Sequence, residues 1–319
     1  MNIINSIIGI LVLAILVAIG YQVAKIAIEL NSPITPQTST TGLVIPPEPS
    51  STTNRWNHFP LTVYINDELV INKNPSYVDD VKKALDIWES KGIVSFSVTD
   101  TPAADIIIEW VPILKEKSLD TLGNTEIKLI NTTQFSIIQN ATIELLTKSE
   151  SEKLNSNDMV NLGLHEIGHA LGLQHTNEGI MNPVLTIPSK TIKEISAGDI
   201  SNLLELYKAP VKPDLKILGV NATKFTFTRL GQHYFYLNVS IDIQNVGLTN
   251  AENFVIQLGA DNLVVDVGVQ SLLETGNILN IFHGNLKIDR NFTSIQVSID
   301  PKNLIDELNE TNNFINMPV

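Results

Sequence analysis

The sequence predicts an α+β domain followed by an immunoglobulin-like antiparallel β-sandwich, with an apolar helix in front of both. Three observations support this fold class. The chain has 319 residues, which fits two domains of ordinary size. Apolar residues recur at both helical and strand spacing in residues 55–209, whereas residues 210–319 contain only short strands separated by turn residues. The composition is 43% hydrophobic and 17% charged, which excludes a wholly disordered chain.

Charge and cysteine content exclude several classes of function. There are 34 acidic against 21 basic residues and the formal net charge is −13, so no basic face for nucleic acid is expected. Cysteine is absent, which excludes disulfide bonds, thiolate metal sites and a cysteine nucleophile. Any metal site must therefore use His, Asp or Glu.

The first 30 residues are predicted to form a transmembrane anchor. No charged side chain occurs in Met1–Ala24, and a spanning helix needs roughly 20 mostly apolar residues. The alternative is a cleaved signal peptide, which we favour less because no basic residue precedes the apolar run and no clear Ala-x-Ala site follows it. Residues 31–54 are rich in Pro, Ser and Thr, and we expect an extended, poorly ordered stalk.

Residues 55–209 mix strand and helix patterns. Val78, Val81, Leu85 and Trp88 have helical spacing, for example. A further helix is predicted to begin at an N-cap formed by Asn157 or Ser156. The predicted strands are Leu61–Ile65, Val94–Val98, Asp105–Trp110 and Thr142–Leu146, and the predicted helices are Tyr77–Glu89, Asn157–Leu171 and Ala197–Tyr207.

Residues 210–319 begin with a short linker, Pro210–Pro213, and the rest is predicted to form strands without helices. Seven strands separated by Gly, Asn and Thr turns in about 105 residues are typical of a β-sandwich. The predicted strands are Asp214–Val220, Lys224–Thr228, Tyr234–Ile243, Asn253–Leu258, Leu263–Val269, Ile278–Ile288 and Ser294–Ile299.

One helical segment carries a metal-binding pattern. His165 and His169 are four residues apart, so both imidazoles lie on one face of the helix and can reach one ion. Gly172 can end the helix in a left-handed conformation, which allows His175 to return as a third ligand. Three His ligands with one open position describe a catalytic Zn²⁺ site. Glu166 lies beside the ligands, where it can hold a water molecule.

The specificity of this pattern comes from its full length. H-E-x-x-H alone is a weak signal, but here it extends to H-E-x-x-H-x-x-G-x-x-H, and Met181 follows in the segment Gly179–Pro183. In the competing interpretation the histidines are ordinary core residues and Met181 fills space. We favour the metal site because all of the elements occur together.

The region resembles the matrixin branch of the metzincin zinc peptidases. The zinc motif, Tyr77–Trp88, Phe96 with Ala104–Ile108, and Asp199–Tyr207 carry the resemblance. It implies a twisted mixed sheet with helices, and Zn²⁺ held by His165, His169 and His175. It also implies Glu166 as the general base, with Gly172, Met181 and Pro183 supporting the site.

The resemblance further implies a protein or peptide substrate that binds in extended form along an edge strand. Residues Thr121–Ile127 are our hypothesis for that edge, and Asn182–Ile187 for the wall of the main specificity pocket.

Three features depart from the family pattern. The absence of cysteine makes a cysteine switch impossible, the paired aspartates of the closing helix are replaced by Gly198 and Asp199, and no His-rich segment for a second zinc is present. Ca²⁺ is a possible further ion that the sequence does not demonstrate. His58, His233 and His283 are isolated, and we interpret them as structural or surface residues.

The second domain resembles the adhesion-related domain called CARDB. The segments Pro213–Ile217, Asp242–Gly247 and Ile299–Asn313 carry the resemblance. It implies a binding or positioning role toward a surface partner. Asp306, Glu307 and Glu310 form either a calcium site or a solvated turn-forming stretch, and we favour the second interpretation.

Together these patterns predict a membrane-tethered, extracytoplasmic zinc-dependent endopeptidase, or a secreted one if the first segment is cleaved. The alternative is a surface adhesion or binding protein whose peptidase fold is catalytically idle. The complete ligand set with Glu166 favours the enzyme.

Overall fold

The computed structural model describes residues 3–31, 36–44, 53–114, 122–148, 153–261 and 263–319. The helices are α1 (Ile3–Asn31), α2 (Ser76–Glu89), α3 (Ser156–Ala170) and α4 (Ala197–Leu206). The strands are β1 (Gln37–Val44), β2 (Asn54–Arg55), β3 (Leu61–Asn66), β4 (Phe96–Thr99), β5 (Ile106–Trp110), β6 (Gly123–Asn131), β7 (Ser136–Leu145), β8 (Leu215–Arg229), β9 (Gln232–Asn245), β10 (Ala251–Ala260), β11 (Leu263–Leu273), β12 (Ile278–Ile288), β13 (Ser294–Ile299) and β14 (Phe314–Pro318).

The first domain is built on a mixed sheet, as predicted, and the sheet has six strands. Its order is β2-β7-β5-β3-β4, with β6 paired to β7. All of these pairs are parallel except β6–β7, which is antiparallel. Strands β2 and β5 both pair with one side of β7, and β6 pairs with its other side. Strand β6 therefore lies at an edge of the sheet. The predicted edge segment falls on this strand from Gly123 to Ile127, while Thr121 lies outside the described residues.

Helices α2 and α3 pack together to form the core of this domain. Their apolar faces bury side chains against the sheet, and two tryptophans also donate hydrogen bonds to helix carbonyls. Trp88 Nε1 donates to Leu164 O at 2.9 Å, and Trp56 Nε1 donates to Ala170 O at 2.8 Å. These bonds fix the position of α3, which carries the histidine motif. Fully buried core residues include Leu61, Val63, Val81, Ala84, Ile106, Ile108, Ile143, Met159, Leu164 and Ile167.

The second domain is a β-sandwich of two four-stranded antiparallel sheets, with orders β1-β8-β9-β12 and β11-β10-β13-β14. Alternate side chains of both sheets fill one core that includes Ile217, Leu237, Val239, Ile241, Phe254, Ile256, Leu258, Ile295 and Val297. The predicted strands Asp214–Val220 and Lys224–Thr228 are one continuous strand, β8. A register shift between Ile217 and Gly219 interrupts its pairing with β9 but not the strand itself. The sequence analysis did not predict β14.

The N-terminal part departs from its prediction in two ways. Helix α1 has 29 residues, and the structure describes the side chains of residues 14–28. No helix among the described residues is long and apolar enough to cross a membrane, so the predicted transmembrane span is not supported. The expected stalk is not poorly ordered throughout, because residues 37–44 form β1, which pairs antiparallel with β8 of the sandwich.

Candidate metal centre

Helix α3 begins and ends at residues that suit those positions. Its N-cap is Asn155, whose side chain accepts a hydrogen bond from Asp158 N, while the Asp158 side chain accepts one from Asn155 N. This reciprocal capping box explains why the N-cap is Asn155, before the predicted caps Ser156 and Asn157, and why the helix begins at Ser156. Beyond the helix Gly172 has φ +95°, and a Cβ there would lie 2.0 Å from the Asn54 carbonyl oxygen. The turn therefore requires glycine, as the sequence indicated.

The turn brings the three predicted histidines together. The Nε2 atoms of His165 and His169 are 3.1 Å apart, those of His169 and His175 are 3.1 Å apart, and those of His165 and His175 are 3.3 Å apart. Zn–N bonds of 2.0–2.1 Å at tetrahedral angles give N···N separations of about 3.3 Å. The triangle of nitrogens therefore has the size of three zinc ligands.

Backbone carbonyls orient two of the rings. His165 Nδ1 lies 2.8 Å from Ile180 O, and His169 Nδ1 lies 2.9 Å from Leu173 O. A carbonyl oxygen only accepts, so each Nδ1 carries the proton and each Nε2 presents a lone pair. Lone pairs converging at this distance repel one another unless a cation lies between them. The donor set therefore fits Zn²⁺, whose His ligands commonly donate their other N–H in this way.

Burial keeps these imidazoles neutral. Desolvation lowers the pKa of His165 to about 4, although the hydrogen bond to Ile180 O opposes the shift. Desolvation also lowers the pKa of His169. Because a metal ligand must be unprotonated, both residues are ready to bind an ion near neutral pH.

Glu166 occupies a buried position between α3 and the edge strand β6. It is 5% exposed, and desolvation raises the pKa of its carboxyl to about 7. Thr125 Oγ1 donates to Glu166 Oε2 at 2.7 Å, and this bond opposes the shift. At Gly123, a Cβ would lie 2.6 Å from Glu166 Oε1. The sequence analysis placed Thr125 on a hypothetical edge strand but gave it no role, since nothing local links it to Glu166.

Met181 lies in a segment that is tied to both the histidines and α4. Its side chain is fully buried, and its carbonyl accepts from Thr176 N at 3.0 Å. Asp199 Oδ2 accepts from Ile180 N at 3.2 Å, and the same Ile180 residue orients His165 through its carbonyl. Pro183, predicted to support the site, is exposed.

Asp199 was predicted to lie in the closing helix, without a role in the site. It is fully buried, and it also forms a capping box with Ser196 at the start of α4. The S-x-x-D pattern of Ser196 to Asp199 was a signal that could have identified the cap. The hydrogen bond between Asp199 and Ile180 depends on tertiary packing, and no sequence pattern predicts it.

An open cavity of about 450 Å³ lies beside the Met181 segment. Two of its lining residues, Asn182 and Val184, belong to the predicted pocket wall. The cavity is lined by Gly179, Asn182, Val184, Lys193 and Glu194.

The other three histidines, interpreted as structural or surface residues, are not part of this cluster. His58 Nε2 is 3.3 Å from Asp105 Oδ2, and His233 Nδ1 is 2.9 Å from Thr228 Oγ1. His283 is on β12, in the sandwich. Among the described residues, His165, His169 and His175 are the cluster of His and acidic side chains close enough together to hold a metal ion.

The acidic run near the C-terminus is not simply solvated, contrary to the interpretation we favoured. Glu307 is 4% exposed and accepts hydrogen bonds from Leu215 N and the Asn313 side chain. Asp306 does lie at the surface, where it pairs with Lys212 at 2.6 Å. The run therefore ties the end of the sandwich to the start of β8.

Two family models match parts of this chain. Residues 55–208 match the family model described as Matrixin, and residues 212–317 match the model described as CARDB. A solution structure of the 272–376 domain of a protein from Methanosarcina acetivorans, described as a "putative cell surface protein", is 30% identical. It covers 26% of this chain and 73% of that domain, with a TM-score of 0.23. The search of curated proteins found no match.

Proposed function

The chain carries a matrixin domain at residues 55–208 and a CARDB domain at residues 212–317, and we propose that it is a zinc-dependent endopeptidase. The observation that carries the proposal is the triangle of Nε2 atoms of His165, His169 and His175, with separations of 3.1–3.3 Å. A buried carboxyl group, that of Glu166, lies on the same helix next to His165.

His165, His169 and His175 would hold the ion through Nε2, with the rings of His165 and His169 oriented by Ile180 O and Leu173 O. When bound, Zn²⁺ supplies Lewis acidity, which polarises the scissile carbonyl and makes the attacking water more acidic. Glu166 accepts the proton of that water and passes it to the leaving amine. Its pKa of about 7 suits both steps, because a group that titrates near the working pH can accept and release a proton.

Strand β6 is the surface that we assign to an extended peptide substrate. Among the described strands it pairs with β7, which leaves its other edge for a substrate strand. Thr125 on β6 contacts Glu166, so a peptide added along this edge passes close to the general base. Main-chain hydrogen bonds would then supply much of the affinity, as in other cases of β-strand addition.

We further propose that both domains work outside the cytoplasm and that the CARDB domain holds a surface partner or positions the substrate. Support comes from the CARDB match, since such domains are related to adhesion. Attachment through helix α1 stays a prediction of the sequence. Cleavage of both domains by a protease added to intact cells would support the external location.

The proposed activity is tested with the full chain loaded with zinc and a peptide library. We expect cleavage that a chelator abolishes and that Glu166→Ala reduces by about 10²–10⁴-fold, because general-base catalysis contributes that much. The variant should still bind one zinc, since Glu166 is not a ligand. Glu178→Gln, an exposed glutamate near the motif, is the matched control and should keep wild-type turnover.

Two results would contradict the proposal. Undiminished cleavage by Glu166→Ala would remove Glu166 from the role of base. A chain that binds no zinc and cuts no peptide would favour the binding-protein alternative.

A further inference from the structure

The sandwich contains a strand that is distant from it in the sequence. Strand β1 pairs antiparallel with β8 over eight residue pairs, from Gln37 opposite Thr226 to Val44 opposite Gly219. The matrixin domain lies between these two strands in the chain. The C-terminal domain is therefore discontinuous, because its first sheet begins with an N-terminal segment.

The bonding of β1 differs from that of the other sandwich strands. Seven of its eight residues are exposed and Thr41 is half-buried, so it adds no side chain to the core. Its contact with the domain is the ladder of backbone hydrogen bonds along β8, together with the Thr40 Oγ1 and Thr223 Oγ1 pair at 3.2 Å. Backbone pairing of this kind is the chemistry by which an exposed sheet edge accepts an added strand.

The position of β1 also determines which domain follows helix α1. The helix ends at Asn31 and β1 begins at Gln37, so at most about 22 Å of extended chain separates them. The sandwich therefore lies directly after α1. The matrixin domain, which starts after residue 53, comes after β1 in the chain.

We propose that the edge of β8 from Gly219 to Thr226 is a strand-acceptor surface whose occupant is residues 37–44 of the same chain. The pairing acts as a noncovalent clip that joins the N-terminal segment to the sandwich independently of the covalent connection through residues 45–53. A break in that connection would leave α1 attached to the rest of the molecule. The inference does not depend on peptidase activity.

The register is tested by crosslinking, which is simple here because the natural chain has no cysteine. Thr40 and Thr223 are directly opposite on one face of the sheet, so the double variant Thr40→Cys with Thr223→Cys should form a disulfide within one chain under mild oxidation. The matched control is Thr41→Cys with Thr223→Cys. It should not crosslink, because neighbouring residues of a strand point to opposite faces.

Electrophoresis under denaturing, non-reducing conditions distinguishes the outcomes. An intrachain crosslink in the first variant alone supports the proposal. A crosslinked dimer would show that the occupant is a second copy, and equal crosslinking of both variants or of neither would show that the register is absent. Each of the last three results overturns the assignment of the occupant.

The clip is tested in a full-length chain whose residues 46–52 are replaced by the recognition sequence of a site-specific protease. After complete cleavage, the N-terminal fragment should co-elute with the remainder in gel filtration under native conditions. Thr40→Pro with Thr41→Pro should release it, because one of these two adjacent amides must face β8. Thr40→Val with Thr41→Val, which keeps both amides, should retain it. Release of the fragment without the prolines, or its retention with them, would overturn the proposal.

Discussion

At the residue scale, the candidate metal centre depends on the groups that fix the positions of protons as much as on the three histidines. The carbonyls of Ile180 and Leu173 hold the Nδ1 protons of His165 and His169, which leaves the Nε2 lone pairs directed at one point. Thr125 has a similar relation to Glu166, because its hydroxyl donates to the carboxyl group. The histidines and Glu166 are thus oriented by hydrogen bonds with residues outside the candidate ligand set.

Thr125→Val should lower kcat about tenfold, because the variant keeps the shape but removes the hydrogen bond that orients Glu166. A hydrogen bond to a charged group is worth about 1.5–3 kcal/mol, and 1.4 kcal/mol is a factor of ten in rate. The bond to Thr125 lowers the pKa of Glu166, so its loss should move the acidic limb of the rate profile to higher pH. Steady-state kinetics as a function of pH, with zinc content measured in parallel, check both effects.

Thr125→Ser is the matched variant, since it keeps the hydroxyl and should retain most of the activity. Equal losses of activity in Thr125→Val and Thr125→Ser would assign the effect to the packing of β6 instead of the hydrogen bond. A kcat unchanged in Thr125→Val would show that Glu166 needs no such support.

At the element scale, capping interactions position the two helices that border the centre. Asn155 and Asp158 fix the start of α3, while Ser196 and Asp199 fix the start of α4. Asp199 has a second function, because its carboxylate also accepts from Ile180 N in the segment that precedes Met181. The start of α4 is thereby connected through Ile180 to His165 on α3.

Asn155→Ala should destabilise the first domain by about 1 kcal/mol, the usual cost of losing an N-cap. Asn155→Ser, which restores an acceptor at the same position, should recover most of that loss. Thermal unfolding of the two variants beside the natural chain measures the difference. Similar melting temperatures for all three proteins would show that α3 is held by packing alone.

Asp199→Asn should weaken zinc binding roughly tenfold or more, because outer-shell partners typically contribute 10–100-fold to metal affinity. The effect passes through Ile180, whose carbonyl orients His165. Competition with a calibrated chelator measures the affinity. Glu205→Gln on the exposed side of the same helix is the control, and a loss of affinity equal to that of Asp199→Asn would indicate a general effect of charge.

At the scale of the whole molecule, several contacts join the two domains. Thr132 Oγ1 donates to Val246 O at 3.1 Å, and Asn57 Nδ2 donates to Leu248 O at 2.9 Å. Strand β1 adds a link of a different kind, since it belongs to the sandwich but precedes the matrixin domain. The two domains are therefore connected at both ends of the matrixin segment.

Stability of the sandwich should fall as the pH rises from about 4.5 to about 7. Burial raises the pKa of Glu307 to about 7, and the nearby carboxylates of Glu310 and Asp214 act in the same direction. The folded state therefore binds more protons than the unfolded state in this range, and its stabilisation is lost as the pH passes the folded pKa. Each pH unit between the two pKa values is worth about 1.4 kcal/mol, which gives about 3 kcal/mol in total.

Calorimetry of the full chain across this pH range checks the effect on the transition of the second domain. Glu307→Gln should flatten the dependence, because the amide has the same shape without a titrating proton. A stability that rises with pH, or a dependence unchanged by Glu307→Gln, would contradict the assignment.

Most of the helices and strands and the cluster of three histidines could be predicted from the sequence because both rest on local rules. The spacing of His165 and His169 on one helical face, the turn at Gly172 and the return of His175 are all set within eleven residues. Alternating apolar residues likewise predicted most strands of the sandwich. Boundaries were less certain within β8, where residues 221–223 separate two predicted strands but belong to one continuous strand.

By itself, the sequence predicted the two domain types and the cluster of three histidines beside Glu166, since these predictions rest on periodicity, short spacing and family resemblance. Only the tertiary structure decided the contact of Thr125 with Glu166, 41 residues away, and the pairing of Thr40 with Thr223, 183 residues away. The physical reason is that β-sheet edges pair through backbone groups present in every residue except proline. The side-chain pattern of a strand therefore does not identify the strand with which it pairs, and only the folded structure shows that partner.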